Sequence, residues 1–583
     1  MIAVRGTTFY AAWAEQLGTT EFTQDIYFSR STNDGVSWSA PTRVDLGDNL
    51  NAHDSDLPKI AVTDTGIVGV IWEETRDAFQ QQSTNDDIFF NRSVDGGVTW
   101  QPVSIALNTG TAGAHVTSDI DRMWLCATGN TFHVTWEEDS LTSLGGNEEL
   151  WYTRSTDGGQ TWSTPVTLNA NPGGEDVDEP KVEADGNLVF VTYVDSNDDV
   201  IGVRSIDGGA TFSAPVRIES DPNGNADEPT LKVKGNVIVV AWTEQDPGTA
   251  SGEGVHCCVS VDGGLTWRPE VTLSERMLTV TGADADAPVI AIQSANNFIV
   301  SYPEDSVWVA GGGATGGSRN ECLVAYTTNG GLTWTKDVGL YPGVVTNRPY
   351  VVATPNAVVA WLELNPNGSN IGAFCHSPDG GATWTTPAIV NNTGPDVDEG
   401  CATDEGIYVA MSPLSNTVHV THMDRPLGQN EVYTSGYLVT AGVGTNYCTA
   451  RPNSTGQTAA MSAGGSRFVV NNDVRLIATE LPPNAFGFFL TSRNQGLIAN
   501  PGGSQGNLCL TGSIGRYVGP GQIKNSGAQG RIELQINLNA HPTPSGLIQV
   551  VAGEVWNFTA WYRDSVSGVA TSNFADGLQV FFQ

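Results

Sequence analysis

The sequence predicts an all-β protein in which a β-propeller is followed by a β-sandwich. Three observations predict this. An octapeptide of pattern Ser/Thr-x-Asp/Asn-x-Gly-x-Thr/Ser-Trp/Phe recurs seven times at intervals of 50 to 67 residues, which indicates one supersecondary unit built many times. Each copy lies between short strand-like runs. The repeat stops near residue 440, and a stretch rich in Gly, Asn, Ser and Thr with alternating strands follows. The predicted domains are 1–440 and 441–583.

The octapeptide is typical of a tight turn in a β-hairpin. Its acidic or amide side chain accepts backbone N–H groups, and its glycine accepts a positive φ. We expect its aromatic ring to pack against the next sheet. The copies are Ser31–Trp38, Ser93–Trp100, Ser155–Trp162, Ser205–Phe212, Ser260–Trp267, Thr327–Trp334 and Ser377–Trp384. The structural side chains at the third position are Asn33, Asp95, Asp157, Asp207, Asp262, Asn329 and Asp379.

A second repeat precedes each octapeptide and completes the unit. A hydrophobic strand ends in aromatic-x-acid, as in Trp72-Glu73-Glu74, and a shorter strand comes before it. The unit therefore has four strands, here named A to D in chain order, and radial repetition of such units is a β-propeller. An eighth copy, His422-Met423-Asp424, has no octapeptide after it. The count favours eight blades, and seven blades with an irregular closure is the alternative.

The seven octapeptides resemble the Asp-box of sialidases and related BNR-repeat proteins, and the resemblance covers roughly residues 1–440. In that family the boxes are structural and face away from the active site. The resemblance therefore implies a fold more firmly than it implies an activity.

A third repeat, Asp-x-Asp-x-Pro and its variants, predicts an acidic face at one mouth of the central channel. Strand A starts where strand B ends, so both repeats meet at this mouth. We interpret the face either as aspartates that cap loops and glutamates that are solvated, or as a Ca²⁺ site built from hard oxygen ligands. Individual metal ligands cannot be assigned. The predicted residues of the face are Asp56, Asp121, Asp178, Asp227, Asp286, Asp398, Glu74, Glu138, Glu244, Glu304 and Glu363.

The sialidase resemblance implies an arginine in an Arg-x-Pro motif, a Tyr nucleophile paired with Glu, and an Asp acid/base. Here Asp56, Asp178, Asp227 and Asp286 occupy the Arg-x-Pro position, and an aspartate would repel a substrate carboxylate. Tyr302 and Glu304 lie two apart and could mimic the Tyr/Glu pair, although the same slot holds the aromatic-x-acid repeat elsewhere. No catalytic residue is assigned.

A glycine-rich insertion, Ser306–Asn320, is predicted to overhang the acidic face. It carries Trp308, which is a candidate ring for binding a sugar. Loops of this kind often carry binding residues.

The net charge of −37 is concentrated in the first domain, because residues 445–583 hold only six acidic and eight basic residues. Such a surface repels nucleic acid and anionic lipid, so neither is expected as a partner. No apolar run of 18 residues predicts membrane insertion. The chain shows no signal peptide at Met1, and we expect the ring-closing strand to precede Met1.

Cysteine usage predicts one disulfide. Of eight cysteines, only Cys448 and Cys509 lie in the second domain, and they are the predicted pair. Segments such as Trp556–Asp564 resemble a C-terminal module of secreted planctomycete-type bacterial proteins.

Together these features predict a secreted or surface-displayed bacterial protein. The main hypothesis is a non-catalytic binding or structural protein with an acidic, calcium-binding face, and with glycans or other extracellular proteins as partners. The alternative is an exo-acting glycoside hydrolase of sialidase-like type.

Overall fold

The computed structural model divides the chain into two compact units, Met1–Val439 and Thr440–Gln583. This boundary lies one residue from the predicted one. The residues that the structure describes are 1–15, 24–47, 53–75, 86–108, 120–139, 148–169, 176–220, 224–245, 253–274, 284–306, 319–340, 349–354, 357–364, 371–377, 380–389, 408–412, 417–424, 431–438, 444–464, 469, 472, 474–528, 530–566 and 568–582.

Antiparallel sheets follow one another along the described residues of the first unit, and strands pair in chain order within them. Sheet 1 contains β1 (Ile2–Arg5), β2 (Thr8–Glu15), β3 (Asp25–Ser31) and β4 (Thr42–Arg43). Sheet 2 contains β5 (Asp54–Val62), β6 (Val68–Thr75), β7 (Asp86–Ser93) and β8 (Ile105–Ala106). Sheet 3 contains β9 (Ile120–Thr128), β10 (Thr131–Asp139), β11 (Glu148–Ser155) and β12 (Val166–Thr167). Sheet 4 contains β13 (Val177–Asp185), β14 (Leu188–Asp195), β15 (Val200–Ser205) and β16 (Val216–Arg217).

The remaining sheets of this unit continue the pattern. Sheet 5 contains β17 (Ala226–Lys234), β18 (Val237–Gln245), β19 (Glu253–Ser260) and β20 (Val271–Thr272). In sheet 6 strand A is split into β21 (Asp284–Ala285) and β22 (Val289–Ile292), followed by β23 (Phe298–Ser306), β24 (Arg319–Thr327) and β25 (Thr335–Gly339). Sheet 7 contains β26 (Tyr350–Thr354), β27 (Ala357–Leu364), β28 (Ile371–Ser377) and β29 (Ala388–Ile389). Sheet 8 contains β30 (Tyr408–Met411), β31 (Thr417–Asp424) and β32 (Glu431–Leu438).

The A strands of these sheets form a ring. Each A strand contacts the A strand of the next sheet, from β1 to β5 and onward to β30, and β30 contacts β1. The A strands therefore surround a common channel, and the D strands lie outermost. This radial arrangement of antiparallel sheets is that of a β-propeller.

The B strands are the most buried because sheets pack on both of their faces. All eight residues of β14 are buried, and only the last residue of β18 is exposed. Strands covered on both faces read as continuous apolar runs rather than as alternating patterns, as in Val237-Ile238-Val239-Val240-Ala241-Trp242. Burial between adjacent sheets is thus the main source of stability in this unit.

The octapeptide turns form as the sequence predicts. In the third box Asp157 Oδ1 accepts the amides of Gln160 and Thr161, both at 2.9 Å. Gly158 and Gly159 have φ of 71° and 83°, which glycine adopts without strain. Asp379 lies outside the described residues.

The aromatic rings of the second and third boxes pack on the preceding sheet, whereas the sequence suggested the next sheet. Trp100 of sheet 2 lies edge-on to Phe28 of sheet 1, with ring centroids 4.9 Å apart. Trp162 contacts Phe90 in the same way at 4.8 Å. The physical reason is that the box directly follows strand C of its own sheet, so that its turn lies over strand C of the preceding sheet.

Arginines of strand C join neighbouring sheets at this edge. Arg30 and Arg92 each donate through Nη1 to the first glycine carbonyl of the following box, Gly96 O and Gly158 O, at 2.7 Å. Arg154 makes the equivalent bond to Gly208 O. The box edge of the ring is therefore structural, and the opposite edge is left for other roles.

The second unit is also built from strands. Its described residues include a pair of short 3-10 turns, Pro501–Gly503 and Leu538–Ala540. One sheet is ordered β33-β46-β44-β36-β39, with β40 on β36 and β45 on β44, and a second is ordered β34-β35-β41. The hairpins β37-β38 and β42-β43 complete it. The strands are β33 (Thr445–Tyr447), β34 (Ala460–Gly464), β35 (Arg475–Thr479), β36 (Phe486–Ser492), β37 (Asn494–Ala499), β38 (Asn507–Thr511), β39 (Gly515–Arg516), β40 (Lys524–Asn525), β41 (Ile532–Gln535), β42 (His541–Thr543), β43 (Gly546–Ile548), β44 (Val555–Val566), β45 (Val569–Phe574) and β46 (Gly577–Phe581).

One hydrophobic core joins the two main sheets of this unit. Leu476 of β35 and Ile532 of β41 share it with Phe558 of β44 and Val580 of β46. A disulfide joins Cys448 and Cys509, the pair named from the sequence. Among the described residues of both units, no helix is long and apolar enough to cross a bilayer.

Candidate functional site

The Asp-x-Asp-x-Pro repeat forms a bulge at the start of strand A. The residue before the proline has a left-handed backbone, with φ of 51° at Leu57, 56° at Glu179, 51° at Glu228 and 46° at Ala287. Pairing with strand B skips at this point in β5, β13 and β17. A following proline disfavours the right-handed helical region, and the left-handed one costs a residue with a Cβ roughly 1–2 kcal/mol. The bulge brings Glu179, Glu228 and Ala287 to the wall of the channel.

The second aspartate of the repeat has a local partner in several copies. Its carboxylate accepts the amide of the next residue, at 2.7 Å for Asp56 and 2.9 Å for Asp227. Asp178 instead pairs with Arg122. Asp286 is half-buried directly before the bulged residue of sheet 6. These contacts support the hypothesis that the repeat stabilises loops.

The first aspartate of the repeat joins neighbouring sheets. Asp54 Oδ1 accepts the amide of Gln24, and Asp176 Oδ1 accepts the amide of Glu148, both at 2.9 Å. Each amide lies at the start of strand C in the preceding sheet. The two aspartates of the motif thus make different hydrogen bonds: the first joins neighbouring sheets, and the second stabilises its own loop.

In four copies of the aromatic-x-acid repeat, the indole N–H of the tryptophan donates a hydrogen bond to the carboxylate two residues later. Glu74, Glu138 and Glu244 are 4 %, 3 % and 1 % exposed, and Glu304 is fully buried. The structure therefore places these glutamates inside the sheets and not as an open ring of ligands. The bonds are Trp13 to Glu15 at 3.0 Å, Trp72 to Glu74 at 3.1 Å, Trp136 to Glu138 at 2.9 Å and Trp242 to Glu244 at 2.8 Å.

Tyr302, the candidate nucleophile, is fully buried. Its hydroxyl donates to Leu273 O and Asp337 Oδ1, each at 3.1 Å. Burial raises the pKa of Tyr302 well above its ordinary value. In this conformation a substrate in the channel does not meet the Tyr302 oxygen.

Several predicted site residues lie outside the residues that the structure describes. Asp398 and Trp308 are among them. Asp121 and Glu363 lie in described strands, but their side chains are not described.

The channel holds a cavity of about 540 Å³ that runs along the A strands. Glu179, Glu228 and Ala287 line it near the acidic mouth, and Lys234 and Met411 line it toward the box edge. A cavity of this volume falls within the range of small-molecule sites.

Lysine is concentrated around this cavity. Five of the six lysines of the chain lie in the first unit, and four of those are on A strands. Lys181 Nζ lies 4.7 Å from the centre of the Trp124 ring. The fully buried Lys59 Nζ lies 5.5 Å from the same ring and 3.5 Å from the Tyr408 hydroxyl. Trp124 thus fixes two ammonium groups through cation–π contacts.

The other two lysines have polar partners on the wall. Lys232 pairs with Glu183. Lys234 Nζ donates to the carbonyls of Ile292 and Gln293 at 3.3 Å, and burial lowers the pKa of Lys234. The lumen therefore combines cations, carboxylates and aromatic rings, while the rest of the first unit is strongly acidic.

An acidic recess of about 260 Å³ lies at the mouth between sheets 4 and 5. Asp195 at its wall accepts the amides of Asn197 and Asp199, at 2.9 and 3.0 Å. Five aspartates line the recess: Asp176, Asp178, Asp195, Asp198 and Asp227.

The lysines and Glu179 and Glu228 were missed by reasoning from sequence, although a signal was present. Lys59 and Lys181 each follow the proline of the repeat directly, and Lys232 follows Pro229 by three residues. Lysine is rare in this chain, so its recurrence after the motif could have indicated a channel-facing position.

The chain was compared with known proteins. No protein-family model matches it, and no curated protein matches it. Solved structures do match over long stretches at low identity. An α-L-arabinanase of Penicillium chrysogenum, solved with arabinobiose, is 14 % identical, with 55 % of this chain and 93 % of that chain covered and a TM-score of 0.34. An ulvan lyase is 13 % identical, with coverages of 75 % and 91 % and a TM-score of 0.38. A Trypanosoma rangeli sialidase is 13 % identical, with coverages of 100 % and 96 % and a TM-score of 0.32.

Proposed function

We propose that the first unit binds an acidic saccharide in its channel cavity. The observation that carries this proposal is the position of the lysines. In a chain of net charge −37, four of six lysines lie on the strands that surround one cavity, and Trp124 holds two of them.

The chemistry of the cavity suits a sugar that carries carboxylate or sulfate groups. Ammonium groups form charge-assisted hydrogen bonds with such anions. Lys181 and Lys232 line the cavity directly, whereas the buried Lys59 adds positive charge behind Trp124. Glu179 and Glu228 offer acceptors for sugar hydroxyl groups at the same wall. A neutral saccharide would leave the lysine charges without a new partner.

Calcium at the acidic mouth belongs to this proposal. The recess lined by Asp176, Asp178 and Asp227 offers the hard oxygen ligands that Ca²⁺ prefers. A bound cation there would also reduce the repulsion between the mouth and an anionic ligand. If so, EDTA weakens saccharide binding and added Ca²⁺ restores it.

Isothermal titration with charged and neutral oligosaccharides tests the binding proposal. We expect a uronic-acid or sulfated oligosaccharide to bind and a neutral one of equal length not to bind. Lys181→Met and Lys232→Met should each weaken binding about tenfold or more, because a hydrogen bond to a charged group contributes about 1.5–3 kcal/mol. Lys336→Met is the matched control, since Lys336 lies on β25 away from the cavity.

Equal affinity of wild type and both cavity variants for the charged oligosaccharide would refute the proposal. So would equal binding of charged and neutral oligosaccharides.

Cleavage of the bound saccharide is a second candidate function, and one observation favours it. Glu179 and Glu228 lie on adjacent A strands, in the same bulged conformation, and both line the cavity. Glycoside hydrolysis needs two carboxyl groups at one sugar. Leu57 and Ala287 have the same bulged conformation, so the backbone strain is a feature of the repeat. Only the carboxyl groups of Glu179 and Glu228 therefore support this candidate.

Release of reducing ends from charged oligosaccharides measures cleavage. Under this candidate, Glu179→Gln and Glu228→Gln abolish release but weaken binding less than the lysine variants do, because glutamine keeps an acceptor oxygen. Binding without any release by the wild type would leave the protein as a non-catalytic binding protein. Tyr302 is not proposed as nucleophile because its hydroxyl is buried and bonded to Leu273 O.

The proposed setting is the exterior of a bacterial cell. The second unit, with its disulfide between Cys448 and Cys509, suits an oxidising compartment. We propose that it serves attachment or contact with glycans or proteins, separately from the channel.

A further inference from the structure

A buried cluster of one histidine and several carboxylates lies between the outer strands of sheets 4 and 5. Glu244 at the end of β18, His256 in β19 and Glu270 just before β20 bring their ligand atoms within 4.8 Å of one another. His256 Nδ1 lies 2.6 Å from Glu270 Oε1 and 3.7 Å from Glu244 Oε2. These residues are not on the A strands that line the channel cavity.

Sheet 4 adds a further carboxyl group to this cluster. Glu219 follows β16 and is 5 % exposed. Its carboxyl group shares a hydrogen bond with the carboxyl group of Asp199, and neither its Oε2 atom nor Asp199 Oδ1 has a further donor among the described residues. The next residue, Ser220, donates its amide and hydroxyl to Glu270 Oε2 at 2.7 and 2.8 Å. The backbone thus ties the Glu219 segment to the three residues of sheet 5.

The cluster has more negative than positive groups. Its only permanently charged cation in the described residues is Arg217, whose Nε lies 3.3 Å from Glu219 Oε1 and 3.5 Å from Asp199 Oδ2. Around it lie the carboxyl groups of Asp199, Glu219, Glu244 and Glu270, of which the first two share one hydrogen bond. Buried excess charge is costly unless a counter-charge is present. A divalent cation supplies that counter-charge.

The other sheets that have a strand D lack the combination of histidine and glutamate that sheet 5 carries at His256 and Glu270. The position of His256 in strand C, defined by its pairing with the last residue of strand D, holds an aromatic or aliphatic residue in the other sheets that have a strand D. These residues are Tyr27, Phe89, Trp151, Ile201, Leu323 and Ala373. Glu270 stands where Pro41, Pro165 and Pro215 stand in sheets 1, 3 and 4. Sheet 5 therefore exchanges an apolar pair for an imidazole and a carboxylate.

We propose that this cluster is a binding site for a divalent transition-metal ion, with Zn²⁺ as the best match and Glu244, His256, Glu270 and Glu219 as ligands. Imidazole and carboxylate donors in a four-ligand set suit Zn²⁺. Ca²⁺ prefers six to eight oxygen ligands and fits this set less well. With four protein ligands the ion would have a structural role, joining sheets 4 and 5.

The test uses the full chain, dialysed against chelator and then against metal-free buffer. Titration with Zn²⁺ should show one bound ion per chain, and the melting temperature should rise with Zn²⁺ because the ion binds the folded state. Co²⁺ should produce visible absorption bands from bound metal. Ca²⁺ at the same concentration should give neither effect at this cluster.

His256→Phe is the main variant, because Phe89 occupies the corresponding place in sheet 2 and the change is compatible with the fold. It should weaken Zn²⁺ binding by at least tenfold and remove the Co²⁺ bands. Glu219→Gln should weaken binding as well. The matched control is Asp45→Asn, since Asp45 pairs with Arg43 in sheet 1 as Glu219 does with Arg217 in sheet 4. The sheet after Asp45 carries Phe89, and not a histidine, at the position of His256.

Three outcomes would overturn the proposal. The wild type would bind no Zn²⁺; or His256→Phe would bind it with unchanged affinity; or Asp45→Asn would lose it equally, which would point to a general effect of charge. Failure of saccharide binding would not bear on this site, because the titration is done with the metal alone.

Discussion

Asp157 shows how a single side chain holds one turn of the ring. Ser155 Oγ donates to its Oδ1 at 2.8 Å, and the Thr161 hydroxyl donates to its Oδ2 at 2.6 Å. Burial opposes ionisation here, but the bonds from Thr161 and Ser155 outweigh it and lower the pKa of Asp157 to about 2. The ionised carboxylate therefore stabilises the fold above the ordinary pKa of 3.8. That stabilisation is lost as the pH falls toward 2.

We predict that Asp157→Ala lowers the free energy of unfolding at pH 7 by on the order of 1–2 kcal/mol. Asp157→Asn should cost less, because Asn33 shows that an amide can close the same turn, accepting Ser37 N at 3.0 Å and donating to Ser37 Oγ at 2.9 Å. Denaturant unfolding at pH 7 and pH 3 measures both effects. Asparagine should also reduce the loss of stability between these pH values, and an unchanged loss would contradict the argument.

At the scale of the element, the B strands of sheets 2, 3 and 5 each carry a buried carboxylate that accepts a hydrogen bond from one indole. Glu138 is 3 % exposed, and Trp136 Nε1 donates to its Oε2 at 2.9 Å. The two groups are two residues apart, so they lie on the same face of one strand. The glutamates that the sequence placed on an acidic, ligand-binding face therefore make hydrogen bonds within their own strands in sheets 2, 3 and 5.

We predict that Trp136→Phe destabilises the first unit by about 1.5–3 kcal/mol, since it leaves a buried carboxylate without this donor. Trp162→Phe is the control, because Trp162 Nε1 has no hydrogen-bond partner in the described residues and Phe212 fills the same place in the next box. Thermal and denaturant unfolding compare the two variants. Equal losses would mean that ring volume, not the indole N–H, matters at Trp136.

At the scale of the whole first unit, the ring closes where sheet 8 meets sheet 1. His419 Nε2 lies 3.0 Å from Asp34 O, and its ring lies edge-on to Phe9 with centroids 4.5 Å apart. Ser412 Oγ donates to Gly6 O at 2.7 Å. Residues some 400 positions apart in the chain thus hold the first and last described sheets together.

We predict that both units lose stability as the pH falls from about 6.5 to 4. Burial lowers the pKa of His133 to about 3 and that of His541 to about 4 from the ordinary 6.5, and it also lowers the pKa of His376 and His419. These histidines stabilise the fold while neutral, so their contribution is complete above 6.5 and is lost toward the folded pKa. Melting curves from pH 7.5 to pH 4 measure this loss.

His419→Gln separates ring closure from the general effect of acid. Glutamine keeps an N–H donor for Asp34 O but does not titrate, so we expect a smaller loss of the first unit's melting temperature between pH 6.5 and pH 5. His541→Gln should change only the transition of the second unit. A first-unit transition with unchanged pH dependence in His419→Gln would contradict the role assigned to His419.

The sequence alone was sufficient for several features that depend on neighbours in the chain, but it did not show the hydrogen bonds from Trp72 and Trp136 to the glutamates two residues later. The box turns, the aromatic-x-acid strands, the domain boundary and the Cys448 and Cys509 pair all follow from local pattern or simple counting. Turn hydrogen bonds and the alternation of side chains in a strand involve residues only a few positions apart. Turns and strands can therefore be predicted from the sequence pattern without knowledge of the tertiary structure.

Only the tertiary structure decided what the repeats surround. Three features depend on residues tens to hundreds of positions apart: the burial of Glu74 and Glu138, the sharing of Trp124 by Lys59 and Lys181, and the bond from Ser220 to Glu270 across two sheets. No periodicity records such meetings, because they arise from how the sheets pack in a ring. The sequence therefore determined the sheets of this protein, and the packing of those sheets decided which charges face one another.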